Sequence, residues 1–176
     1  TAYDMLRSLV GSEMCIRDRC NIITEEQGVI ADYSAGHITT EEASQLIEAI
    51  KKKFDKPNEI EFYSGLDYRH FLVLRNFSKS QLIKCVPPHD ARGVAVADVM
   101  PKAILPEAEK TAQLLRDMVE GAREILQSHI VNVSRKAAGK NAGNLIWPWG
   151  GGKKPSMPTL KSKFGVESAV ISAVDL

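Results

Sequence analysis

Three short stretches carry the side chains best suited to chemistry: SAGHI at residues 34–38, YRHFLV at 68–73 and PPHD at 87–90. Arg69 offers five donors in a planar fork that matches a phosphate or a carboxylate, and His70 beside it can donate or accept. In a regular strand, alternation sends Arg69 and His70 to opposite faces, so they cannot both enter one pocket. A solvated arginine and a structural histidine on an edge strand would show the same letters. His37 stands ahead of Thr39, the N-cap of an amphipathic segment, on a turn that Gly36 frees. A helix start attracts anions through its N–H groups and dipole, and an adjacent imidazole would complete a small anion site. His89 and Asp90 follow two prolines that stiffen the backbone, although a turn in which Asp90 bonds its own backbone also fits.

Farther on, HIVNVSR supplies His129, Asn132 and Arg135, and NLIWPWGGG supplies Asn144 and two tryptophans beside a glycine run. Gly150–Gly152 lack the spacing and flanking elements of a phosphate-binding fingerprint and read as a flexible loop. Trp147 and Trp149 read as packing residues. The sequence contains no recognisable Ser–His–Asp set or spaced carboxylate pair. Several His and Arg positions on loops and strand ends suit a polyanionic small ligand better than a bond-breaking apparatus.

The elements that must position these residues follow from periodicity. Residues 20–24 and 29–33 read as a hairpin turning at Gly28. Thr39 with Glu42 forms a capping box, and Ala43, Leu46, Ile47, Ile50 and Phe54 share one face of a helix that Pro57 ends. Residues 59–65 and 68–77 read as a second strand pair turning near Gly65 and Asp67, and 80–86 as an edge or return strand. A second long helix over 106–129 starts with Pro106 in its first turn and turns Leu114, Leu115, Met118, Ala122, Ile125 and Leu126 to the core. Past His129 irregular chain is expected, then a short helix at 159–165 and an apolar strand at 168–176. Strands joined by tight turns and flanked by two helices describe an α+β domain with an antiparallel sheet.

Composition sets the frame. A chain of 176 residues with 44% hydrophobic and 26% charged residues is globular and long enough for a sizeable core. Lys+Arg 23 against Asp+Glu 22 gives a net charge of +1, with no basic run suggesting a nucleic-acid path, so any anion site must be local. No apolar stretch approaches the roughly 20 residues of a membrane helix, and no signal peptide stands out. Cys15, Cys20 and Cys85 fit no metal spacing, and an odd count argues against a disulfide framework; reduced thiols in a cytoplasmic protein are the expectation.

Two resemblances complete the reading. Ser8 to Arg19 resembles translated sequencing-adapter sequence, so residues 1–19 are expected to be non-native. From Cys20 to Leu176, CNIIT, ADYSAGHITTEEA, YRHFLVL, CVPPHD, NLIWPWGGGKKPSMPTL and SAVISAVDL, in that order, resemble the archaeal-type cofactor-independent phosphoglycerate mutases, a branch of the alkaline phosphatase superfamily. The resemblance implies interconversion of 3-phosphoglycerate and 2-phosphoglycerate through a metal-activated serine, with two divalent ions (manganese or magnesium) and no 2,3-bisphosphoglycerate. It implies that residues 20–165 form an inserted substrate-binding domain and 166–176 a returning strand of the α/β phosphatase-like core, the whole being an interior fragment. The serine and the metal ligands would lie outside it. His37, Arg69, His70, His89, Asp90 and Arg135 are the candidate substrate-binding residues, and no metal ligand is assigned. The chain departs from the family where Ile130 replaces a usual proline and Ser168 a usual glycine. A non-catalytic module that binds a phosphorylated ligand, or a related homoserine-kinase-like or phosphonate-acting protein, are the alternatives.

Overall fold

Strand β1 (Cys15–Glu26) is the axis of the molecule in a computed structural model that describes residues 15–75, 77, 82–153, 162, 164 and 165. It forms a hairpin with β2 (Val29–Asp32) across Gln27 and Gly28, whose φ values of 51° and 82° are those of a two-residue turn matched to strand twist. Beyond β2 come helix α1 (Thr40–Phe54), β3 (Ile60–Tyr63) and β4 (Arg69–Arg75). After β5 (Ile83–Lys84), the short helix α2 (Val96–Val99) and β6 (Lys102–Ala103), a 3-10 turn at Pro106–Ala108 leads into α3 (Glu109–Gln127). Helix α4 (Ile130–Ala137) and strand β7 (Leu145–Lys153) follow. The main sheet is antiparallel, in the order β2-β1-β4-β3, with β7 also paired to β1.

Helix α1 starts where its capping box predicts. The Thr39 side chain accepts from the Glu42 N–H, and the Glu42 carboxylate accepts from the Thr39 N–H. Its buried face is Ala43, Leu46, Ile47 and Ile50, with Phe54 partly covered. Helix α3 buries Leu115, Met118, Ala122 and Leu126 as expected, together with Thr111, Ala112 and Val119, while Leu114 is only partly buried. The helices pack on each other and on the sheet, α1 against β3 and α3 against β7. At their crossing Gly121 allows the close approach, since a Cβ there would lie 2.7 Å from Cζ of Phe54. The core between sheet and helices is filled by Ile22, Ile23, Phe62, Leu72, Leu74 and Trp147, each stabilising the fold by roughly 1.5–3 kcal/mol.

The structure narrows one expectation and corrects two. Of the strand expected at 80–86, described from residue 82 onward, Ile83 and Lys84 pair with Ala103 and Lys102 in a separate two-stranded ribbon. The chain after His129 is not irregular but enters α4, capped by the His129 side chain, which accepts from the Val131 N–H. The glycine run is not a loop but the end of β7, which pairs with β1 from Ile23↔Leu145 to Ile16↔Lys153. Glycine and proline argue against a strand by propensity, yet β7 lies on an edge, where Pro148 withholds no needed ladder bond, and a register shift opposite residues 17–19 absorbs the glycines. The expected boundary between residues 19 and 20 falls inside β1, whose residues 15–19 pair with β4. The returning strand at 166–176 lies outside the described residues, as does most of the helix expected at 159–165.

Candidate functional site

Three turns meet along one margin of the main sheet: residues 34–38 between β2 and α1, residues 64–68 before β4, and residues 87–90 after β5. His37 and Tyr68 line one open pocket of about 370 Å³ with Ile38, Thr39, Thr40, Glu41 and Asp67. From Tyr68 a chain of ring edges continues to Tyr33 at 5.9 Å, to His89 at 6.3 Å and to Trp149 at 5.4 Å. Arg69 lies over Tyr68 at 5.4 Å. His37, Arg69 and His89 thus share one surface, although 52 residues separate the first from the last.

The turn that presents His37 is built on charge. Ala35, Gly36 and His37 all adopt positive φ, at 50°, 62° and 50°, which for the two non-glycine residues costs on the order of 1–2 kcal/mol each. Asp32 opposes that strain: one carboxylate oxygen accepts from the Ser34 N–H and hydroxyl, the other from the Gly36 N–H and from Asn141. Burial pushes the Asp32 carboxyl up, but these four donors together outweigh it and hold the group below its ordinary value. Arg135 completes the frame, donating to the carbonyls of Asn141 (2.8 Å), Ala35 (2.7 Å) and Gly36 (3.3 Å) and to the Glu42 carboxylate (2.5 Å). It is 3% exposed, so its donors hold the turn from beneath rather than facing the pocket.

Arg69 and His70 diverge as strand alternation requires. Arg69 is exposed and lies 3.6 Å from the Asp67 carboxylate, a contact worth at most about 1 kcal/mol at such exposure. His70 is 1% exposed and points inward beside Leu72 and Leu74. Its Nδ1 accepts from the Gly65 N–H at 3.1 Å, which assigns the ring proton to Nε2. Burial pulls the imidazole down to about 4, with the Asp67 charge opposing, so it is neutral at pH 7. Among the described residues Nε2 finds no partner, a deficit of about 1–3 kcal/mol. The Thr40 hydroxyl donates to the Asp67 carboxylate and accepts from its N–H, tying the 64–68 turn to the start of α1.

His89 is half exposed, 3.7 Å from Asp90. The 87–90 turn closes on itself through the Asp90 N–H to the Pro87 carbonyl. Both tryptophans pack, as expected, and both also bond: Trp147 donates to the Val86 carbonyl just ahead of this turn, and Trp149 to the Asn21 side chain.

The pocket differs from a bare helix-terminus anion hole. Glu41 and Asp67 share its wall with His37, and the Glu41 carboxyl is lowered by hydrogen bonds from its own N–H and from Thr39. The chain's own carboxylates therefore answer part of the helix dipole, and His37 and Arg69 stand beside them. Of the six expected binding residues, the surface gathers His37, Arg69, His89 and Asp90, while Arg135 and His70 lie under it. Tyr33, Asp32 and Thr40 were missed by sequence reasoning, and Asp67 was read only as a turn residue. Asp32 carried a readable signal, two residues ahead of Ser34 and four ahead of Gly36, the spacing of an Asx-type turn.

A profile of the family described as 2,3-bisphosphoglycerate-independent phosphoglycerate mutase matches residues 10–132. The chain belongs to that family. Mutases of this name from Methanosarcina mazei (39% identical over 158 residues), Methanothrix thermoacetophila (40% over 158) and, as a probable mutase, Geobacter sulfurreducens (40% over 148) are similar to it. The matches cover 90%, 90% and 84% of this chain but 38%, 37% and 35% of those proteins, so the chain spans little more than a third of its mutase relatives. The solved cofactor-independent phosphoglycerate mutase of Thermoplasma acidophilum superposes with a TM-score of 0.69 at 28% identity, over 86% of this chain and 40% of that one. Among the described residues of this family member no group of three or more His, Cys, Asp or Glu side chains could hold a metal ion, and none of its helices is long and apolar enough to cross a membrane.

Proposed function

We propose that this chain is the substrate-gripping part of a cytoplasmic enzyme that interconverts 3-phosphoglycerate and 2-phosphoglycerate without 2,3-bisphosphoglycerate. The observation that carries it is the family match over residues 10–132. The geometry supports it, because His37, Arg69 and His89 lie on one surface whose turns are fixed before a ligand arrives. In this reading Arg69 leaves its loose contact with Asp67 to take a phosphate or carboxylate bidentately, and His37 and His89 add single donors on either side. Tyr68 and Tyr33 wall the space between them. Fixed donors of this kind hold the glycerate while its phosphoryl group leaves one hydroxyl and returns to the other. The two divalent ions, manganese or magnesium, and the serine that the resemblance implies would come from the remainder of an alkaline-phosphatase-like protein. The described residues do not fit the ions.

Arg69→Lys in the complete protein tests the proposal. Replacing a fork by a point charge should lower kcat/KM for 3-phosphoglycerate by about tenfold to a hundredfold, with thermal stability unchanged because the side chain is exposed. Unaltered kcat/KM would remove Arg69 from the site, and a complete protein without mutase activity would remove the function.

A further inference from the structure

We infer that His70 is a positioning residue: its neutral Nδ1, by accepting the Gly65 N–H, holds the 64–68 turn in the shape that presents Tyr68 and Arg69 to the ligand. The inference rests on the mutase reading for its choice of substrate, but its structural half stands on geometry alone.

The 64–68 turn has few other means of holding its shape. Gly65 approaches the backbone so closely that a Cβ would lie 2.1 Å from the Arg69 carbonyl oxygen. Asp67 sits at φ 53°, a conformation that side chains disfavour. Leu66, between them, is 66% exposed, so its side chain contributes little packing. Among the described residues, hydrogen bonds secure the turn at four points: the Leu66 carbonyl, which accepts from the Arg69 N–H at 3.0 Å; the Tyr68 carbonyl, which accepts from the Ile22 N–H of β1 at 2.8 Å; Thr40, which bonds Asp67; and His70, which bonds Gly65. Of these, only the His70 contact comes from a side chain buried in the core, where a hydrogen bond is least open to competition from water. A leucine or methionine would fill the same volume without leaving Nε2 unpartnered among the described residues. What the imidazole supplies that an apolar residue does not is the Nδ1 acceptor. The ring bonds within its own strand and turn, so its effect reaches a ligand through Tyr68 and Arg69 rather than by contact.

The two nitrogens of His70 can be imitated separately. An asparagine amide falls near Nδ1 and can accept from Gly65, whereas a glutamine amide reaches toward Nε2 and leaves Gly65 without its acceptor. In the complete protein, His70→Asn should keep KM for 3-phosphoglycerate within about threefold of the native value. His70→Gln and His70→Leu should raise it about tenfold with kcat little changed, the size expected for one hydrogen bond. Amide exchange at Gly65, followed by hydrogen–deuterium exchange, should accelerate about tenfold in the Gln and Leu variants and stay near native in the Asn variant. A native KM in His70→Gln with a raised KM in His70→Asn would make Nε2 a ligand group and overturn the inference. So would native Gly65 exchange in all three variants. If His70→Leu does not fold, the Asn and Gln pair decides alone. Should the complete protein prove inactive as a mutase, the mutase reading falls, while Gly65 exchange still tests the positioning role.

Discussion

The turns at 34–38 and 87–90 each present a histidine to the same surface, and they are held in opposite ways. The first is fastened from inside by buried charge: Asp32 and Arg135 between them make eight hydrogen bonds to this turn and its immediate supports. The second is shaped by two prolines and a backbone hydrogen bond, with His89 lodged between Tyr33 and Trp149. The 64–68 turn goes with the first, since His70 fastens it from the core. A turn that must hold positive φ needs oriented donors and acceptors, whereas proline needs no partner to fix φ. The inner turns should therefore be costly to disturb and sensitive to protonation, and the outer one tolerant.

The largest expected effect breaks that contrast directly. Arg135→Ala removes a 3%-exposed guanidinium, leaves the Glu42 carboxylate with only the Thr39 N–H of its capping box, and takes the guanidinium donor from three carbonyls, which should cost about 3–4 kcal/mol in urea denaturation. A loss below about 1 kcal/mol would mean that the charge frame does not hold the turn. Next comes acid. His70 has an ordinary value of 6.5 and a folded value of about 4, so in that interval the unfolded chain binds a proton that the folded chain refuses. Its contribution is intact above pH 6.5 and is lost as pH falls toward 4, a total on the order of 3 kcal/mol. Stability measured against pH should flatten over this range in His70→Asn; an unchanged slope would place the acid sensitivity elsewhere.

Gly36→Ala sharpens the comparison further. Its φ is 62°, and a Cβ would meet Asn141 Cβ at 3.0 Å and Arg135 Nη2 at 3.2 Å, so a loss of about 2 kcal/mol is expected in thermal melts. The smallest change is His89→Ala, which forfeits two ring-edge contacts at a half-exposed position and should lower stability by about 1 kcal/mol or less. If His89→Ala destabilised more than Gly36→Ala, the distinction between inner and outer turns would be reversed.

What the sequence disclosed follows the range of the interactions involved. Thr39 and Glu42 marked the start of α1 because a capping box is complete within four residues. Alternation separated Arg69 from His70 because side chains on a strand change face at every step, but it did not say which face was core; Leu72 and Leu74 packing under the helices decided that His70 is the buried one. Arg135 drew attention as a cation after a helix end, yet its partners at Ala35, Gly36 and Glu42 lie 93 to 100 residues earlier, beyond any local pattern. Strand β7 was hidden for a related reason: Pro148 and three glycines have poor strand propensity, and only pairing along β1, with Gly150 at φ 67° in the register shift, holds them in a strand.

By itself the sequence determined the α+β class, the hairpins, both long helices, the turns that carry His37 and His89 and the turn that precedes His70, all of which rest on periodicity, caps and turn residues within a few positions. Tertiary structure alone decided that those turns converge, that Tyr33, Tyr68, His89 and Trp149 meet in one line, and that His70 and Arg135, two of the six expected ligands, lie below the surface. Convergence depends on the sheet order around β1 and on buried partners a hundred residues apart, and neither is written in any local stretch of the chain.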